Sequence, residues 1–471
     1  MKINLAALAA IAVSFAGAAS ANAATPEEEA KALDIYRTVI AFKSTQHHGE
    51  TPQLSAYLKS ELVGAGFSPD DVEVVPVGET AVLIARLRGD GSSGKKPVLF
   101  LAHMDVVEAN PADWENPPFE LREEDGWFLG RGVADNKYGV VNLTQAFMRL
   151  KQEGFVPDRD LILVFSGDEE TSMISTRFLA NERPDLAEAE YALNSDAAGL
   201  AVLPSGEPLP YYMQSAEKTY ASFRVTARNP GGHSSRPRPD NAIYDLAHAL
   251  VKVQEYEFPV QSNAITRAAA RADGAIVGGK IGKALIAFAD NPKDKKAIKE
   301  IKGNLDYSNI LATTCVATLL NGGHADNALP QSASATVNCR IFPGTEIEEV
   351  RQTLIGVIDN DALDVSLVRD DYVASPISEP NDEVIAVLKE TLAARFPAME
   401  IVPSMSSGGT DGMHFRRAGV PTYGAGGGVS VLGESENAHG LNERVRVKSF
   451  YDGLDHWVVL IKALAGPDDN Q

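Results

Sequence analysis

Apolar and polar residues alternate in blocks along this chain, and the period of each block predicts an element. Thr25, Pro26 and the acids Glu27, Glu28 and Glu29 set a capping hydroxyl, a first-turn proline and negative charge at a helix start. A helix to about Phe42 follows. The runs ETAVLIARLRG and KKPVLFLAH are almost wholly apolar and read as neighbouring strands joined by DGSSG. Val140, Val141, Leu143, Phe147 and Leu150 recur with helical spacing, and DLILVFS and YALNS are short buried-strand runs. Strands alternating with helices predict an α/β layer with a mostly parallel sheet.

The pattern changes near Gln214. From there to about Asp371 come a strand (ASFRVTAR), a helix (NAIYDLAHALVKVQEY), a polar stretch from about 261 to 309 that reads as irregular, two strands, a helix beginning near Thr345 and a last strand (ALDVSLV). Helix and strand alternate again in DEVIAVLKETLAARF, PTYGAG and SFYDGLDHWVVLIKALA. The chain therefore divides into 24–213, an inserted α+β unit over 214–374, and 375–471. Its length of 471 residues also favours more than one core.

Composition narrows the choice of partner. With 43 basic and 64 acidic residues the formal charge is −21, a field that disfavours nucleic acid and anionic membranes. Residues 1–23 pair Lys2 with an alanine-rich stretch ending in Ala21, Asn22 and Ala23, which predicts a signal peptide cleaved after Ala23. The expectation is an exported protein, periplasmic or secreted, with no membrane span after cleavage. Cys315 and Cys339 lie in strand-like runs; two buried free thiols are expected, and a cross-strand disulfide is the alternative.

Candidate chemistry gathers at the ends of the apolar runs. KKPVLFLAH ends in His103, and Asp105 two residues on is placed to hold the imidazole's second nitrogen. Asp135 lies in the glycine-bearing turn of GRGVADNKYG, where capping a helix is the ordinary role. DLILVFS runs into Asp168, Glu169 and Glu170, three successive acids with no basic run to neutralise them, so a cation is the economical partner. YALNS is followed by Asp196, and ENAHGLNE brings His439. Together these point to a metal site.

The chain resembles the M20 family of metallopeptidases and amidohydrolases. The likeness runs from about Glu28 to Ala465 through AHMDVV, DGWFLGRGVADNK, SGDEE, NSDAAG, GGHSSRP, NALP, NCRIFPG, GGTDG and AHGLNE, in the family's order. Its lid strand and PG turn are most similar to the branch of carboxypeptidase S and N-acyl-amino-acid hydrolases. The fold implied is a dizinc exopeptidase-like α/β catalytic domain carrying the inserted α+β unit as a lid and dimerisation domain.

The resemblance implies that Asp135 bridges two divalent metal ions, with His103 and Asp196 completing one site and Glu170 and His439 the other. Zinc is the expected metal, and cobalt or manganese suit the same groups. Glu169 matches the general base and Asp105 the acid that orients His103. His233 matches a histidine that stabilises the oxyanion, often from the partner of a homodimer. Arg340 matches the arginine that pairs with a substrate carboxylate; Asn327, Gly408, Gly409 and Thr410 match further substrate contacts. The activity implied is release of an amino acid from a small peptide or N-acyl amino acid. A noncatalytic peptide- or metal-binding protein is the alternative, disfavoured because all five ligands and the base are present; an aminopeptidase of the M28 type lacks the inserted unit. His47, His48, His248, His324, His414 and His456 match no ligand and are expected at the surface or as caps. One departure stands out: DEETSMIS lacks the glycine that usually follows the paired glutamates.

Overall fold

The computed structural model describes residues 22–197 and 199–466, so the proposed signal peptide lies outside the described residues except for Asn22 and Ala23. The first helix, Pro26–Ala41, is capped as its sequence predicts: Thr25 Oγ1 accepts from Glu28 N, and the Glu28 carboxylate accepts from Thr25 N at 2.7 Å. Its buried face of Ala32, Ile35, Tyr36, Val39 and Ile40 joins the main core.

Six strands form the central sheet in the order Val72–Val77, Thr80–Leu87, Leu161–Ser166, Val98–His103, Tyr191–Asn194 and Thr422–Gly424. Three of its five pairings are parallel. Leu161–Ser166 lies between the two runs expected to be neighbours, because a parallel partner must return through a helix and can insert from far along the chain. Both faces are covered. Leu83, Phe100, Leu163 and Phe165 face one core, while Val82, Ile84, Leu99, Leu101 and Val164 face the other, which accounts for apolar runs without alternation. Helix Lys137–Gln152 packs on the sheet with Val140, Val141, Leu143, Phe147 and Leu150 all buried.

A second sheet takes the order Thr314–Gly322, Ser332–Ile341, Thr219–Arg228, Leu363–Leu367, every pair antiparallel. Ala221, Phe223, Val225 and Ala227 alternate toward a core shared with helices Ala242–Glu255 and Ile347–Ile358. The intervening residues Tyr220, Ser222 and Arg224 point to the opposite face.

Two expectations are corrected here. Cys315 and Cys339 are directly opposed across their strand pair, Cα atoms 4.1 Å apart, and form a disulfide instead of two free thiols. The stretch from 261 to 309 is mostly helical, as Ala264–Val277, Gly279–Asp290 and Lys295–Lys302, around a small core of Ala270, Leu285, Phe288 and Ile301. Only one stripe of each helix is buried, so lysines and aspartates on the wet faces mask the period. Among the described residues no helix is long and apolar enough to cross a membrane.

Candidate active site

Strand Val98–His103 delivers His103 almost fully buried at its C-terminal end, where an α/β sheet opens onto its site. His103 Nε2 lies 2.9 Å from Asp135 Oδ1 and 3.6 Å from Asp196 Oδ1. The other Asp135 oxygen, Oδ2, lies 3.1 Å from His439 Nε2, which is also 2.8 Å from Glu170 Oε1. Asp135 thus stands between two imidazoles with one oxygen toward each. Ligand atoms of His103, Asp135 and Glu170 all fall within 4.8 Å of one another, a spacing that can hold a metal ion. All five residues expected as ligands are brought together.

Charge in the cluster is divided sharply. Burial alone would depress the His103 imidazole, but Asp196, Asp105 and Asp135 outweigh it and push it well above its ordinary value. Hydrogen bonds to Asp135 and Glu170 raise His439 to about 10. For Asp135, burial is overcome by both imidazoles, which hold it far below the usual carboxylate range. Burial carries Asp196 up to about 7. Three carboxylates here demand positive charge, and a donor set of two imidazoles and three carboxylates fits divalent cations of borderline softness.

Asp105 holds more than the ring it was expected to orient. His103 Nδ1 hydrogen-bonds the Asp105 main-chain carbonyl at 3.0 Å, while the Asp105 carboxylate lies 3.5 Å away and accepts from the backbone amides of Glu169 and Glu170, both at 2.9 Å. It therefore orients the acidic loop as well as the ring. Asp168 needs no cation: Ile174 N, Ser175 N and Ser172 Oγ donate to it at 2.8–2.9 Å, at the start of helix Ile174–Asn181. The loop that lacks the usual glycine turns at Met173, which adopts φ 50° and lines the cavity beside Glu170.

Glu169 and Glu170 open onto a cavity of about 570 Å³ whose far wall is the polar face of the second sheet, with Tyr220, Ser222, Arg224 and Arg340. Glu169 is buried, and burial pushes its carboxyl well above the ordinary range although His103 opposes the rise. Arg340 stacks 4.9 Å above the Tyr220 ring and donates to Ser407 O at 3.1 Å. Gly409 lines the same cavity, Gly408 is exposed beside it, and Thr410 is buried with its hydroxyl on Glu217. His233 and Asn327 are brought to each other and not to this cavity: Ser234 N donates to Asn327 O, and His233 is exposed with its ring on Ser235. His47, His48, His248 and His324 are exposed, whereas His414 and His456 are buried, contrary to expectation. Packing from distant elements buries them; His414 lines the cavity, and His456 Nε2 hydrogen-bonds Ala425 O.

Two carboxylates that sequence reasoning passed over shape the site. Glu443 is fully buried and accepts from Gly132 N, Ala134 N and Asp135 N at 2.8–3.0 Å and from Arg131 Nη1 at 2.6 Å, so it molds the turn that presents Asp135. Asp411 accepts from Ser166 Oγ at 2.6 Å and from Thr176 Oγ1, tying the acidic loop to GGTDG, and burial lifts it to about 6. Both sit inside quoted motifs, but one among many acids carries no local mark of burial.

A histidine–carboxylate cluster at strand ends, facing a roofed cavity, defines a metal-dependent hydrolase. Residues 99–463 match peptidase family M20/M25/M40, and the chain belongs to that family. It is 25% identical over 452 residues to the N-fatty-acyl-amino acid synthase/hydrolase of Danio rerio, covering 90% of this chain and 84% of that protein. It is 27% identical over 389 residues to the probable carboxypeptidase S-like 2 of Dictyostelium discoideum, covering 78% and 71%. Among solved structures, the fold is similar to an M20 family metallo-carboxypeptidase from Sulfolobus solfataricus, with TM-score 0.70, 18% identity and 92% and 99% coverage. It is also similar to human carnosine dipeptidase 1, with TM-score 0.64, 16% identity and 94% and 98% coverage.

Proposed function

We propose that this protein hydrolyses an amide or peptide bond next to a free carboxylate, releasing an amino acid from small peptides or N-acyl amino acids. The observation that carries the reading is the convergence of five candidate ligand residues, one of which, Glu170, lines with Glu169 a cavity that Arg340 also lines. The relatives named as an N-fatty-acyl-amino acid hydrolase and a carboxypeptidase S-like protein support the substrate class.

In this reading His103, Asp135 and Asp196 would hold one divalent ion, and Asp135, Glu170 and His439 would hold a second, zinc being the expected metal. Ions bound there supply Lewis acidity to the amide carbonyl and to water. The remaining work falls to the chain. Glu169 takes a proton from the attacking water and returns it to the leaving nitrogen, as its raised affinity for a proton suits. The Arg340 fork receives the substrate carboxylate. Asp105 keeps both His103 and the Glu169 loop in register.

Residues 214–374 act as the lid over a catalytic domain built from 24–213 and 375–471. His233, exposed and outside its own cavity, serves the site of the partner subunit in a homodimer. The protein is exported after removal of residues 1–23.

The direct test is Glu169→Gln. Bound metal per chain is expected to match the wild type while turnover of dipeptides and N-acyl amino acids falls by about a hundredfold or more. Retained turnover would sink the mechanism.

A further inference from the structure

Strand Tyr211–Glu217 leaves the catalytic core and runs directly into the lid strand Thr219–Arg228, and the chain comes back through Ser375 and Ser378. Glu217 stands at this crossing, with no solvent exposure. Its Oε1 accepts from Arg416 Nη1 at 2.7 Å and from Ser375 Oγ at 3.4 Å, and its Oε2 from Thr410 Oγ1 at 3.0 Å. Arg416 Nη2 donates onward to Gln214 Oε1 at 3.1 Å and Thr422 O at 3.0 Å. Ser375 N also donates to Thr219 Oγ1, and Ser378 N to Ser215 O, both at 2.8 Å. One carboxylate therefore grips the outgoing strand, the returning segment at Ser375 and the GGTDG loop together.

The same contacts close a circuit around Arg340. Lys218 N donates to Ser406 O at 3.0 Å, Arg340 Nη1 donates to Ser407 O at 3.1 Å, and Thr410 closes back onto Glu217. Tyr220, three residues after Glu217, lies opposite Arg340 in register and under its guanidinium. The loop from Ser406 to Thr410 is thus held at both ends by residues 217–218 and touched in its middle by the lid arginine. Apolar packing could keep the two crossing segments in contact, but only directed hydrogen bonds from a satisfied buried ion pair also fix their angle.

We propose that Glu217 is a positioning residue: it sets where Arg340 stands relative to the metal cluster, and so sets the preference for substrates that carry a free carboxylate. The proposal rests on the carboxylate-binding reading of Arg340 given above. An angular error at the crossing is magnified at the guanidinium, whereas none of the hydrogen bonds of Glu217 reaches His103, Asp135 or Glu170.

The test compares kcat/KM for N-acetyl-leucine and N-acetyl-leucinamide, scored by acetate release, in wild type, Glu217→Gln and Arg340→Gln, with bound zinc measured in each. Glu217→Gln is expected to reduce the preference for the free acid by about tenfold to a hundredfold, chiefly through KM, with bound zinc unchanged. If Glu217→Gln does not fold, Thr410→Val is expected to lose the preference and Thr410→Ser, which keeps the hydroxyl, to restore it. Equal losses on acid and amide, or a lower melting temperature with the preference intact, would overturn the proposal. Collapse of the preference in Arg340→Gln but not in the Glu217 or Thr410 variants overturns Glu217's role alone. An unchanged preference in Arg340→Gln overturns the reading of Arg340, and this proposal falls with it.

Discussion

Removing the Cys315–Cys339 disulfide separates the lid's stability from the chemistry below it. The bond closes a loop with a sequence separation of 24 residues, for which the chain-entropy estimate is about 3.5 kcal/mol of stabilisation. The paired change Cys315→Ser with Cys339→Ser avoids a stray thiol and leaves the strand register to the ladder of hydrogen bonds. For a unit the size of the lid, a urea dependence of about 2 kcal/mol per molar turns that loss into a midpoint shift of roughly 1.8 M. The probe matters, because the three tryptophans, Trp114, Trp127 and Trp457, all lie outside 214–374 and report only the catalytic core. Hydrogen exchange at amides of Thr314–Gly322 and Ser332–Ile341 reports the lid itself. The expected result is earlier opening of those two strands with the tryptophan transition and bound metal unchanged. Lid strands that open at the same urea concentration in the variant and the wild type would refute the reasoning, as would two titratable thiols in unfolded, unreduced wild-type protein.

Three further outcomes follow from buried groups and from the exposed lid histidine. Glu443→Gln strips the partner from buried Arg131 and loosens the turn presenting Asp135, so stability is expected to fall by about 3–5 kcal/mol and metal affinity by about tenfold to a hundredfold, read by chemical denaturation and metal titration. Burial, then nearby Arg395, lowers His456 to about 3; because the unfolded chain takes up that proton first, stability is present above pH 6.5 and is lost as pH falls toward 3. His456→Gln is expected to flatten stability against pH between about 6.5 and 4, and an unchanged slope would count against it. Mixing His233→Ala with Glu169→Gln chains, each of low activity alone, is expected to restore about a quarter of wild-type turnover if random pairing gives each heterodimer one intact site in two. No recovery after subunit exchange argues against a histidine supplied in trans.

How much of this could be read beforehand depended on whether the signal was local. His103, Glu170 and Asp196 end or follow runs that are apolar on both sheet faces, and such ends are visible in a sequence. The insertion of Leu161–Ser166 between two expected neighbours was not, since pairing is settled by helices that cross from elsewhere. Asp135 has the look of a helix cap, and Asn136 in fact takes that role, leaving Asp135 free for the cluster. Its place there, and that of His439, came through kinship. Asp168 looked like one of three unneutralised acids because the amides that serve it belong to a helix whose start carries no strong signal. Burial of His414, His456, Glu217 and Glu443 is decided by partners scores to hundreds of residues away.

Glu443 lies 308 residues from the Asp135 amide it holds, and His439 lies 269 from Glu170. A ribosome must therefore release almost the whole chain before the loop and its last ligand meet. Fragments ending before that point would carry His103, Asp135, Glu170 and Asp196 yet lack the residue that shapes the loop between them. Metal capture is then a late event that follows closure of the chain's two outer segments onto each other.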